Sequence, residues 1–179
     1  MARIPFRDEN DPAIGELVAA IKSRRKGGRL INLDRLLLHS PPFANGWNVM
    51  LGAVRRSLDL DPQVRELAIC AVARMNKADY EWIQHAPEYL AAGGPQAKLD
   101  ALGDVVAAAH DTAAFDERER AALQLAVEMT RQVQVAETTL AHARRHFGDR
   151  QLVELVGTVA TYNMVSRFLE ALGVDEQGE

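Results

Sequence analysis

From Val64 onward, apolar residues return at the spacing of one helical face: Leu67, Ala68, Ala71, Val72 and Met75 follow an i, i+3, i+4, i+7 pattern. The opposite side carries Glu66, Ile69, Cys70 and Ala73, one charge among small or apolar residues. A helix apolar on nearly every side is a buried helix. A second segment follows, in which Ala78, Trp82, His85 and Tyr89 share a stripe and Glu81 lies beside Ala78 and His85 at three and four residues. Trp47, Met50, Leu51, Val54 and Leu58 keep helical spacing before them, and ERAALQLAVEMTRQV and LVELVGTVATYNMVSRFLEALG continue the pattern after them. Breaks at His39-Ser40-Pro41-Pro42, Asp61-Pro62, Gly93-Gly94-Pro95 and Phe147-Gly148-Asp149 separate the segments. Asp61 is placed to cap a helix whose first turn holds Pro62, and Asp116 with Glu119 reads as a capping box. No alternating run makes a strand, so the chain is expected to be all-α.

Within this apolar pattern, Glu66, Glu81 and His85 stand out, because polar chemistry placed in a core is costly. Glu66 on a buried helix is short of water and is pushed toward a raised pKa unless a donor meets it. Glu81 and His85, one turn apart, are expected to touch; a carboxylate beside an imidazole fixes its tautomer and charge for general acid/base work. Two carboxylates and an imidazole also suit a divalent metal. The plainest reading is a buried Glu-His-Glu network that only ties two helices together.

Glu66, eleven residues, Ala78-Asp79-Tyr80-Glu81, three residues and His85 resemble the signature of the carboxymuconolactone decarboxylase and alkylhydroperoxidase D superfamily. In its peroxidase branch the signature reads Glu, eleven residues, Cys-x-x-Cys, three residues, His. Here Ala78 and Glu81 occupy the two cysteine positions, so a cycle needing one thiolate and one resolving thiol cannot run there. The tail FGDRQLVELVGTVATYNMVSRFLEALGV is similar to the closing helix of such proteins, and the likeness runs from about residue 30 to 173. The resemblance implies a compact multi-helix alkylhydroperoxidase D-like fold spanning 30–179 as one globular unit, behind an N-terminal helical extension at 1–29. It also implies a cofactor-free site without metal, and a homo-oligomer, trimer or hexamer. The activity it implies is decarboxylation of the 4-carboxymuconolactone type on a small carboxylated lactone or oxo acid. His85 would then donate the proton, Glu81 would orient and charge it, and Glu66 would hold a water or a second proton. Tyr80 and Trp82 would wall the pocket, and Arg74, Lys77 or Arg167 would anchor a substrate carboxylate.

Composition narrows the alternatives. The chain has 179 residues, is 47% hydrophobic and carries a net charge of -4, which fits one globular protein with a sizeable core. The lone cysteine, Cys70, excludes an internal disulfide and suits a reducing compartment; MARIPFRDENDPA lacks the apolar stretch of a secretory signal, so a cytoplasmic location is expected. Cys70 reads first as a small core residue; the rival is a one-cysteine peroxidatic thiol, and a third reading is a non-catalytic oligomeric ligand-binding protein. His142 and His146, one turn apart in AHARRHFGD, have metal-ligand spacing but sit at a basic helix end that favours cations for its dipole. The basic run Lys22 to Lys26 lacks interleaved aromatics on an acidic chain, so no nucleic acid is expected. Glu154, Asn163, Arg167 and Glu170 interrupt the longest apolar stretch, so no membrane span is expected either.

Overall fold

A computed structural model describes residues 2–176. Among them there is no strand, and the elements in order are α1 (Gly15–Arg24), α2 (Asn32–Leu37), α3 (Pro41–Arg56), α4 (Pro62–Asn76), α5 (Asp79–Ala91), α6 (Gln96–Ala101), α7 (Val105–Ala108), α8 (Glu117–Gln132), α9 (Glu137–His146) and α10 (Asp149–Leu172), with short 3₁₀ turns between some of them. The all-helical expectation is met, and the punctuation falls where the sequence places it. Asp61 accepts the amides of Gln63 and Val64 at 2.9 and 3.1 Å ahead of Pro62. Asp116 and Glu119 exchange their side chains and amides at 2.8 and 2.9 Å, as a capping box requires.

The chain forms two compact units: one takes in residues up to Ser57 together with those from Leu169 onward, the other is Leu58–Phe168. In the first unit, Ile14, Val18, Ile21, Leu30 and Leu38 form an apolar cluster. Beside α2, the buried Asp34 carboxylate accepts both Nε and Nη2 of Arg25 at 2.8 and 2.6 Å and the amide of Ile31 at 3.1 Å. Burial holds the nearby Arg24 guanidinium down at about 10, with the charges of neighbouring arginines adding to the effect and Asp34 opposing it.

The second unit carries the titratable trio. Its core joins Leu67, Cys70 and Ala71 of α4 to Tyr89 of α5, Leu99 of α6, Leu102, Val105 of α7, Phe115 and Leu123 of α8. α4 is buried from Val64 to Ala73 except at Arg65, which is the environment its all-round apolarity demands. It ends at Lys77, whose φ of 55° is left-handed; this turns the chain at once into α5, with the Ala78 amide returning to the Ala73 carbonyl at 2.9 Å. Glu81, His85 and Tyr89, at successive four-residue steps, form the buried face of α5, and Pro87 sits on its exposed side, where the missing amide is cheapest. At the far end of α5, Gly94 lies flat on the Tyr89 ring. A β-carbon there would stand 2.2 Å from two ring carbons, so only glycine fits.

Candidate active site

The short turn at Lys77 lays α5 back along α4, and this brings together residues separated by nineteen positions in sequence. His85 Nδ1 lies 2.7 Å from Glu66 Oε2, with both side chains almost wholly buried. The other oxygen of Glu66 accepts Arg65 Nε at 3.1 Å. Glu66 is thus the carboxylate on the imidazole, and Nδ1 is its donor when Glu66 is ionised.

Helical spacing set Glu81 beside His85 on one helix; across the two helices the imidazole meets Glu66. Glu81, 2% exposed, receives the Ser166 hydroxyl of α10, which lies 3.1 Å from both carboxylate oxygens and 2.9 Å from the Tyr162 carbonyl. Residues four apart on one helix are neighbours on its surface, and a packed helix adds partners from across the groove. The ring of Tyr162 stands edge-to-face against His85, with centroids 4.8 Å apart and planes at 83°. The site is therefore an imidazole fixed by one carboxylate through a nitrogen and by one aromatic ring through its face, next to a second carboxylate held by a hydroxyl.

Of the other expected residues, Tyr80 is buried and Trp82 half-buried at the rim of the α4–α5 pair. The Arg74 guanidinium lies 3.5 Å from the centroid of the Trp82 ring. Arg167, on the exposed side of α10, donates to the Asn163 carbonyl at 2.9 Å and to its Oδ1 at 2.7 Å. Asn163 is buried and also receives Asn76 Nδ2 on Oδ1 at 3.1 Å while donating to Thr130 Oγ1 at 3.0 Å, so it ties α4, α8 and α10 together. Arg65, Tyr162, Asn163 and Ser166 are not found by motif reasoning. The signal that points to three of them is the run of polar residues interrupting an otherwise apolar α10.

Cys70 lies wholly inside the core. Burial, reinforced by the charges of Glu66 and Glu81 and opposed by Arg74, pushes its thiol up, far from the thiolate that peroxide chemistry needs. Among the described residues no group of three or more His, Cys, Asp or Glu side chains is arranged to hold a metal ion, so the trio available to a metal by spacing does not close into a ligand set. His142 and His146 instead pack ring against ring at 5.3 Å, with His142 Nδ1 2.9 Å from Gln124 Oε1. Among the described residues no helix is long and apolar enough to cross a membrane.

The model of the carboxymuconolactone decarboxylase family matches residues 41–128. No curated protein matches the sequence. Solved structures with the same fold include an uncharacterized peroxidase-related protein from Silicibacter sp. TM1040, 21% identical over 98% of this chain and 91% of its own, with a TM-score of 0.80. A peroxidase-related protein with an alkylhydroperoxidase core from Ralstonia eutropha JMP134 is 18% identical over 99% and 93%, with a TM-score of 0.79. A cysteine-to-alanine variant of the debrominase Bmp8, in complex with 2,3,4-tribromopyrrole, is 14% identical over 99% and 95%, with a TM-score of 0.76. At these identities the structures establish the fold alone. Residues 41–128 thus match the carboxymuconolactone decarboxylase family and the fold is alkylhydroperoxidase D-like, with Ala78 and Glu81 standing where a Cys-x-x-Cys pair would be.

Proposed function

We propose that the Glu66–His85 pair performs general acid/base catalysis on a small carboxylated lactone or related oxo acid, in the manner of a cofactor-independent lyase. The observation that carries this reading is the 2.7 Å contact between His85 Nδ1 and Glu66 in a site 3% exposed at both residues. A buried carboxylate on Nδ1 stabilises the imidazolium and leaves Nε2 as the nitrogen that exchanges a proton with substrate. In decarboxylation the bond to the carboxylate carbon breaks, CO2 departs, and its electron pair passes into the conjugated ring as an enolate. His85 delivers a proton to a ring carbon of that enolate, so one proton is consumed for each CO2 released. Glu81 and Ser166, adjoining, return a proton from water to the imidazole. Glu66 is thereby the positioning residue and His85 the catalytic one. Homo-oligomerisation belongs to the same proposal and is read by light scattering on the purified protein.

The peroxidatic alternative at Cys70 is weakened by its burial and its raised thiol pKa. The test is CO2 release and loss of lactone absorbance over a panel of carboxylated lactones, with hydroperoxides as comparison, for the wild type, His85→Ala, Glu66→Gln and Cys70→Ser. The expected result is lactone turnover abolished by His85→Ala, strongly depressed by Glu66→Gln and retained by Cys70→Ser. Hydroperoxide consumption lost in Cys70→Ser, with no lactone turned over, would overturn the proposal.

A further inference from the structure

We infer that a second site, outside the Glu66–His85 cluster, binds a small organic anion with an apolar body. It is an open cleft of about 390 Å³ at the C-terminal ends of α4 and α8, bordered by the turn between α6 and α7. That volume is within the range of small-molecule sites. Two guanidiniums line it, Arg74 from α4 and Arg131 from α8, and Met75, Leu102 and Val105 supply apolar wall.

Three observations point to an anion. The two arginines come from different helices and bring like charges to one cavity, an arrangement that an anion between them relieves. Among the described residues, no carboxylate lies within ion-pair distance of either guanidinium. The single acidic lining residue, Asp104, is committed to capping α7, where it accepts the amides of Val106 and Ala107 at 3.1 and 3.0 Å. Finally, Arg74 stacks on Trp82 at 3.5 Å from the ring centroid. A guanidinium already fixed on an indole face loses little further freedom when it receives a carboxylate or phosphate. Both arginines stand in the last turn of their helices, where carbonyl dipoles favour a cation, so the positive charge of the cleft is stable before any ligand arrives.

The inference rests on the cleft and not on the proton-transfer reading, and its test measures binding without turnover. Trp82 supplies the reporter, because an anion drawn to Arg74 alters the contact above its indole. The purified protein is titrated with hexanoate, benzoate and phenyl phosphate, and with benzyl alcohol as the neutral probe, following tryptophan fluorescence and heat of binding. The expected result is saturable binding of the anions and none of the alcohol, weakened roughly tenfold by each of Arg74→Gln and Arg131→Gln and largely restored by Arg131→Lys. The ratio between benzoate and phenyl phosphate assigns the headgroup. Both arginines are exposed, so the variants keep the fold; far-ultraviolet circular dichroism verifies this. Equal binding of benzyl alcohol, or anion affinity unchanged in Arg131→Gln, would overturn the inference.

Discussion

The assignment of Glu66, rather than Glu81, as the partner of His85 predicts a specific energetic coupling. Glu66→Gln keeps the shape of the side chain and removes its charge, leaving His85 and Arg65 with a neutral acceptor in a site 3% exposed. Hydrogen bonds to charged groups contribute about 1.5–3 kcal/mol net, so this substitution is expected to cost about 2 kcal/mol. His85→Leu removes the imidazole from the buried carboxylate, whose other oxygen still meets Arg65, and is expected to cost more, about 3–5 kcal/mol, because the pair is broken on one side only and leaves its charge poorly compensated in the core. The double variant removes both halves. Its cost should fall short of the sum by about 1.5–3 kcal/mol, the coupling of a close buried pair. The assay is urea denaturation of the four proteins, read as midpoints at constant slope. A parallel cycle of Glu81→Gln with His85→Leu is expected to give the smaller coupling, since the Glu81 carboxylate receives Ser166. Additivity of Glu66 and His85 within about 0.5 kcal/mol, or a larger coupling for Glu81, refutes the reasoning.

Two further substitutions probe features away from the pair. Gly94→Ala places a methyl group 2.2 Å from the Tyr89 ring, which is wholly buried and has no room to retreat; a loss of at least about 1–3 kcal/mol is expected, and a Tm within a degree of wild type would contradict the packing. His142 is held below its ordinary value of 6.5, chiefly by burial and then by the charges of Arg145 and His146. Its folded pKa lies below its unfolded one, so the unfolded chain binds the extra proton first and stability falls as the pH drops through 6.5 and below. His142→Gln should flatten the midpoint-against-pH profile in that window, and an unchanged slope would assign the dependence to other groups.

Much of this was legible in the chain before any coordinates. The 3.6-residue periodicity around Leu67 and Ala71 required a helix, and the absence of a polar face required that it be buried. Asp61, Pro62, Asp116 and Glu119 carry their capping chemistry within four residues, so local sequence was enough to set those boundaries. The Glu66 to His85 spacing was legible too, because the superfamily signature is a matter of sequence distance. Its chemistry was only half visible. The helical rule that places Glu81 beside His85 holds along one helix and says nothing of what faces it from another.

The sequence by itself determined the helical class, the major breaks and the burial of three titratable residues, because periodicity, capping and apolarity act over a few residues. Only the tertiary structure decided which carboxylate meets His85, since that depends on how the turn at Lys77 lays α5 against α4. The same holds for Ser166, which reaches Glu81 across 85 positions, and for Arg74 and Arg131, which share a cleft only once α4 and α8 are packed. Contacts of that range are selected by the closing of the whole core, and no window of sequence contains the energy that selects them.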